Sequence, residues 1–239
     1  MINEYQPKFP IIAFDADDTL WRNEDIFMSA QNEFIALLCD YHDQAFIRSH
    51  LGDVQIRNLK HFGYGIKGFT LSMIETAIEL TEGRITGSQI HRIIELARRM
   101  LEAPIELLPG IKSVLRKLQS DHTLMIITKG DLLDQESKVA RSGLAKFFDI
   151  IEVTSDKTPT AYENILGRHK ISSDHFLMVG NSLKSDVLPV FDIGAQAIHV
   201  PYHTTWAHEE VSTTTLQQYP QLVTLESISL LPEWLLLHK

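Results

Sequence analysis

Short apolar runs that stop abruptly at polar or glycine-containing sequence recur along this chain, and they leave few folds open to it. Ile11-Ile12-Ala13-Phe14 ends at acidic residues, Leu124-Met125-Ile126-Ile127 at Thr128-Lys129-Gly130, and Phe176-Leu177-Met178-Val179 at Gly180-Asn181-Ser182. Any one of them alone could be a buried strand or a scrap of helix. Together they read as strands, with Ile150-Ile151-Glu152-Val153 and Ala197-Ile198-His199-Val200 as two more. Between them the apolar spacing turns helical. Ile111, Val114, Leu115 and Leu118 follow Pro109-Gly110, and Pro109 suits a first helical turn. Leu132 to Ser142 reads as a second helix stopped by Gly143, and Ala161, Ile165 and Leu166 mark a third. Strand and helix alternating through short connections predict an α/β fold: a mostly parallel, Rossmann-like sheet covered on both faces in three layers.

One stretch breaks the alternation. From about Glu24 to Glu102 the pattern is almost purely helical. Phe27, Ala30, Phe34, Leu37 and Leu38 form one stripe, Leu71, Ile74, Ala77 and Ile78 another, and Ile90, Ile93, Ile94 and Ala97 a third. His61-Phe62-Gly63-Tyr64-Gly65 is a break between helices. This predicts a helical domain over 23–102 planted after the first strand, with 1–22 and 103–239 forming the α/β core. Cys39, the one cysteine, falls among apolar residues and is expected to be buried in a helix. Leu231, Trp234, Leu235 and Leu236 predict a C-terminal helix packed on the core.

Ligands in open α/β sheets gather at the carboxyl ends of the strands, so the polar residues that follow the separate runs should converge there. After the first run comes Asp15-Ala16-Asp17-Asp18-Thr19-Leu20. Several acids beside an apolar strand are costly unless something neutralises them, and magnesium, a hard cation that accepts one or two carboxylates, suits them. Asp15 and Asp17 are two apart, so both side chains can face one pocket while strand geometry persists. One carboxylate could then attack phosphorus while the other moves a proton. An acidic turn with helix-capping duties is the plainer alternative. Thr128 and Gly130, at a strand-to-helix junction, could hold phosphoryl oxygens. Lys157 could neutralise the nucleophile and the transferring group, and Asn181 and Asp186 offer oxygens to a metal.

Charge narrows the partners. With 22 basic and 31 acidic side chains the formal net charge is −9, which argues against nucleic acid and anionic membrane surfaces. An anionic substrate therefore needs local positive groups. No apolar stretch approaches the roughly 20 residues that cross a membrane. The start, MINEYQPKFPII, has an acidic residue where a signal peptide wants basic ones, so a cytoplasmic protein is expected.

The motif at Asp15-Ala16-Asp17-Asp18-Thr19-Leu20, directly after an apolar strand, resembles the first motif of the haloacid dehalogenase-like superfamily, in its phosphatase branch with a helical cap after that motif. The resemblance spans nearly the whole chain. It implies that Asp15 is the nucleophile and a magnesium ligand. Asp17 would be the general acid and base, with its backbone carbonyl on the metal. Thr128 matches the hydroxyl residue of the second motif, Lys157 the lysine of the third and Asp186 an acidic residue of the fourth. Asp18, Thr128, Lys129, Gly130 and Lys157 would hold the phosphate, and Asn181 would join Asp15, Asp17 and Asp186 around the metal. Asn181 stands where an aspartate usually follows the glycine, and Lys129 where the second motif often has asparagine. Lys129 could add a phosphate contact or point to solvent.

The implied activity is magnesium-dependent hydrolysis of a small phosphorylated metabolite through an aspartyl-phosphate, with the cap excluding bulk water and contacting the leaving group. A phosphomutase, a phosphonate hydrolase and a 2-haloacid dehalogenase share much of this apparatus. Halide displacement, however, needs neither magnesium nor an acid like Asp17. A non-catalytic phospho-ligand-binding protein would be expected to lose the nucleophile or the acid first. His199, His203 and His208 are not spaced to share one helix turn and read as loop packing. Arg48, Arg57 and Lys60 read as exposed helix charges. A monomer and a homodimer both stay open.

Overall fold

The structure, a computed structural model, describes residues 7–238. The apolar runs are strands because both faces of each are covered, so no alternation with polar residues is needed. They are β1 (Ile11–Phe14), β2 (Thr123–Lys129), β3 (Ile150–Thr154), β4 (Phe176–Gly180) and β5 (Gln196–His199), joined by the short β6 (Val223–Thr224). They form one sheet in the order β3-β2-β1-β4-β5-β6, with every neighbouring pair parallel. Successive side chains go to opposite faces. Ile12, Phe14, Leu124, Ile126, Leu177 and Val179 pack with one set of helices. Ala13, Met125, Ile127, Phe176 and Met178 pack with another. The first face is covered by Ile111, Val114, Leu115 and Leu118 of the helix Ile111–Leu118, the second by Tyr162, Ile165 and Leu166 of the helix Pro159–His169. This is the three-layer, Rossmann-like arrangement the sequence predicts.

The chain leaves β1 towards β2 on one side and later returns to place β4 on the other. The reversal makes the carboxyl ends of β1 and β4 the switch point of the sheet, where ligands bind in such folds.

Two compact units are present. One holds the chain up to Arg22, Ile105–Lys129 and the chain from Gln135; the other holds Asn23–Pro104 and Gly130–Asp134. The short segment 130–134, placed in the core on sequence grounds, belongs to the helical unit: Lys67 Nζ bonds both carboxylate oxygens of Asp131 at 3.0 Å. The helical unit contains α1 (Glu24–Leu38), α2 (Gln44–Phe62), α3 (Ile66–Leu80) and α4 (Gly87–Glu102). Asp43 caps α2 through Phe46 N, and Thr86 and Gln89 form a capping box on α4. In α3 the predicted stripe is only half right: Ala77 is buried and Ile74 packs against the core, but the other two residues do neither. Phe69, Met73, Ala77 and Leu80 face the core, whereas Leu71 and Ile78 are 43% and 45% exposed. The helix carries apolar residues on more than one face, so spacing alone does not choose between them. Cys39 is exposed rather than buried, because α1 ends one residue earlier at Leu38.

In the C-terminal helix Leu231–Leu237, Leu231 is buried and Trp234 stacks on Phe9 at 6.2 Å, while Leu236 is exposed. No helix among the described residues is long and apolar enough to cross a membrane.

Candidate active site

Asp15 follows β1 and keeps its pairing with β4, donating its backbone N–H to Val179 O at 2.9 Å. Its carboxylate is buried, and Lys157 Nζ meets Oδ1 at 2.5 Å. The same ammonium donates to Asp186 Oδ1 at 2.6 Å, so one buried cation bridges two buried carboxylates. With both acids ionised the cluster would carry one uncompensated negative charge in a place where charge is expensive. Burial, aided by the nearby Asp186, pushes the Asp15 carboxyl up to about 7 although Lys157 pulls the other way. Burial works against the Lys157 ammonium, but Asp15 and Asp186 outweigh it and hold the lysine protonated.

Asp186 reaches the cluster through a local irregularity. Leu183–Val187 is a π turn, a feature common at functional sites, and Asp186 Oδ2 accepts the Ser182 N–H at 2.9 Å. A Cβ on Gly180 would lie 2.3 Å from that oxygen, so only glycine lets the acid approach the end of β4.

Thr19 closes the motif onto the fourth-strand loop. Its hydroxyl donates to Asp15 Oδ2 at 3.0 Å and accepts the Asn181 backbone N–H at 3.1 Å. One end of the Asn181 amide lies 3.1 Å from the Asp17 carbonyl oxygen, 3.2 Å from Asp15 Oδ2 and 3.1 Å from Thr19 Oγ1. Read as nitrogen, that end has two hydrogens to share among these three oxygens. His199 Nε2 is 3.1 Å from the Asn181 carbonyl oxygen, and burial lowers its basicity.

The Asp17 carboxylate is held by Trp21, Gln135 and Lys138. Trp21 Nε1 donates to Oδ1 at 2.7 Å and Gln135 Nε2 to Oδ2 at 2.9 Å, while Lys138 Nζ is within 3.1 Å of both oxygens. Thr128 is buried at the end of β2 and donates to Gln135 Oε1 at 3.1 Å. Asp18 adopts a left-handed backbone, φ 61°, which aspartate tolerates better than most residues, and its N–H reaches Trp21 O at 2.7 Å. Gly130, at φ 145°, begins the segment that belongs to the helical unit.

Lys129 does not point to solvent, one of the two courses expected of it on sequence grounds. Its ammonium pairs with Glu209 Oε1 at 2.6 Å and donates to Ser185 Oγ at 2.8 Å. Arg57 pairs with Glu75 and Glu79, and Arg48 bonds Gln31 and Asn32.

Sequence reasoning therefore brings together Asp15, Lys157, Asp186, Asn181 and the Asp17 backbone. It misses Trp21, Gln135, Lys138 and Glu209. One signal was available for two of these. The helix Leu132–Ser142 buries Gln135 and Lys138 while Leu132 and Leu133 are 58% and 68% exposed, the reverse of an ordinary amphipathic helix.

Fold and site together define an α/β protein with an inserted helical cap and a buried acid–lysine cluster at the switch point of its sheet. Residues 9–190 match the model of the haloacid dehalogenase-like hydrolases, and the chain belongs to that family. A haloacid dehalogenase-like family hydrolase from Xanthomonas campestris is 41% identical, with 97% of this chain and 92% of that one covered and a TM-score of 0.86. The HAD-hydrolase YfnB of Bacillus subtilis is 32% identical over 96 residues, which span 38% of this chain and only 41% of that protein. The magnesium-bound crystal structure of YfnB superposes with a TM-score of 0.64 at 18% identity, over 95% of this chain and 99% of that one. The 2-haloacid dehalogenase of Pseudomonas syringae shares the fold at 20% identity, with 96% and 99% covered and a TM-score of 0.61.

Proposed function

We propose that this hydrolase cleaves a small phosphate monoester, with Asp15 as nucleophile and magnesium as cofactor. The observation that carries the reading is the pair of carboxylates in one motif with opposite surroundings. Asp15 is buried against Lys157 and Asp186, whereas Asp17 is partly exposed and surrounded by donors. Displacement of halide would use the first carboxylate and have no work for the second.

The donor set fits magnesium. Asp15 Oδ2 and the Asp17 carbonyl oxygen lie 3.2 and 3.1 Å from one end of the Asn181 amide, and carboxylate and carbonyl oxygens are the hard ligands that magnesium takes. With its amide oxygen turned inward, Asn181 would hold the ion together with Asp15, the Asp17 carbonyl and Asp186. The bound ion would offset charge on the phosphoryl oxygens.

The protein's own groups divide the chemistry as follows. A carboxylate oxygen of Asp15 attacks phosphorus as the bond to the leaving oxygen breaks, and Asp17 gives that oxygen a proton. Asp17, now a carboxylate, takes a proton from the water that attacks the aspartyl-phosphate, releasing inorganic phosphate and restoring Asp15. Lys157 offsets the repulsion between Asp15 and the phosphate dianion. The leaving group is that of a small phosphorylated metabolite.

The test compares phosphate release from 4-nitrophenyl phosphate with chloride release from 2-chloropropionate, with magnesium and after chelation. Magnesium-dependent phosphate release without chloride is expected; chloride release that survives chelation would overturn the reading. A second expectation concerns Asn181. Asn181→Asp should lower the magnesium concentration for half-maximal rate, since a carboxylate attracts the cation more strongly. Asn181→Leu should raise it at least tenfold, roughly the smallest cost seen when even an outer partner of a metal site is lost. Magnesium titration of initial rates reads both, and a folded Asn181→Leu variant that titrates like wild type would remove this residue from the metal site.

A further inference from the structure

Asp17 is held by more donors than a turn acid requires. An ionised carboxylate offers about four lone-pair sites. The contacts from Trp21 Nε1 at 2.7 Å, Gln135 Nε2 at 2.9 Å and Lys138 Nζ at 3.0 and 3.1 Å occupy that number in the ionised form, and a proton on one oxygen takes the place of one of them. Two of these donors come from one helix face, because Gln135 and Lys138 are three residues apart. Both are buried, Gln135 at 2% and Lys138 at 6% exposure. The helix exposes Leu132 and Leu133 while it buries an amide and an ammonium, and a buried amide and ammonium need partners such as Asp17 and Thr128. Gln135 also ties Asp17 to Thr128, whose hydroxyl it accepts at 3.1 Å.

We propose that Lys138 is a positioning residue for Asp17 in protonation of the leaving oxygen, an inference that rests on the phosphatase reading. As the bond from phosphorus to the leaving oxygen breaks, the electron pair goes to that oxygen, which takes the proton from one oxygen of Asp17. Lys138 Nζ keeps hold of the other oxygen, fixes the plane of the carboxyl group and offsets the negative charge that forms on it. Lys138 acts through Asp17 and gives no proton to the leaving oxygen itself. Its contribution should then scale with how much the leaving group needs a proton.

Phenyl phosphate and 4-nitrophenyl phosphate are close in shape and differ in the basicity of the leaving oxygen, and specificity constants report the first chemical step. Lys138→Met should lower kcat/KM for phenyl phosphate by about tenfold or more beyond any loss on 4-nitrophenyl phosphate, part of the 10²–10⁴-fold that a general acid supplies. Lys138→Arg should recover part of the phenyl phosphate rate. Lys138→Gln, which keeps a polar head in the same space, serves as a second variant should the Met variant fail to fold, with the same expected selectivity. An equal loss on both esters, or no loss on either, in a folded variant would overturn the positioning role while leaving the phosphatase reading intact. Wild-type protein that hydrolyses neither ester would overturn the phosphatase reading, and the role of Lys138 with it.

Discussion

Asp15→Asn is expected to lower phosphatase turnover by about 10⁴-fold or more while the protein stays folded, since removing the nucleophile of a hydrolase disables the machinery around it as well. The substitution keeps the size of the side chain and one oxygen, which can accept from Lys157, while the amide nitrogen takes the place of the oxygen that Thr19 meets. Its backbone bond to Val179 is untouched. What disappears is the charged oxygen that would attack phosphorus; an amide oxygen is too weak a nucleophile to replace it. Lys157 still has Asp186 at 2.6 Å, so no buried ammonium is stranded. Steady-state assays on protein that unfolds within a few degrees of wild type decide the matter, and near wild-type turnover would remove Asp15 from the role of nucleophile. Trapping of a phosphoryl group on wild-type protein but not on the variant would give the same answer without a rate.

How much of this could be read in the sequence depends on how local each feature is. β1, β2 and β4 are legible because they lie inside the sheet, and burial on both faces leaves uninterrupted apolar runs. β6, only Val223–Thr224, is too short to leave a pattern. α2 went unrecognised as a separate stripe: it buries Ile47, Leu51 and Val54 but exposes Phe46, Ile56 and Phe62, so apolar residues fall all round it. The meeting of Asp15, Lys157 and Asp186 is legible because each follows a strand, and parallel strands bring those ends together. The clamp on Asp17 is not, because Lys138 lies 121 residues away on a helix whose buried side mixes Asp134, Gln135 and Lys138 with Val139. Glu209 is 80 residues from Lys129, in a loop with no periodicity to read. That the third residue of the motif needs its own support, and that a lysine beside the phosphate-type loop needs a counter-charge, are physical demands; which residue answers each is settled only by the fold.

The largest expected loss of stability follows from that last pair. Glu209 is buried at 9% exposure and uses both oxygens: Oε1 accepts from Lys129 Nζ at 2.6 Å, and Oε2 accepts from Ser182 Oγ and Ser185 Oγ at 2.6 Å each. Burial disfavours the charged carboxylate, but Lys129 and the two hydroxyls outweigh it and pull the acid down from 4.5 to about 2. A folded-state value below the unfolded one means that the stabilisation is present above about 4.5 and is lost as pH falls towards about 2. Glu209→Gln removes the charge at every pH, and its amide nitrogen cannot accept from a serine hydroxyl. Breaking a buried pair by removing one partner costs about 3 kcal/mol. In a chain of this size that is a drop of roughly 6–12 °C in Tm at pH 7. The gap between variant and wild type should close as pH falls from about 4.5 to about 2, because wild-type Glu209 then loses the same charge. Thermal unfolding of both proteins across that range measures it. A variant as stable as wild type at pH 7, or a gap that does not change with pH, would mean that the carboxylate does not hold the Lys129, Ser182 and Ser185 segments together.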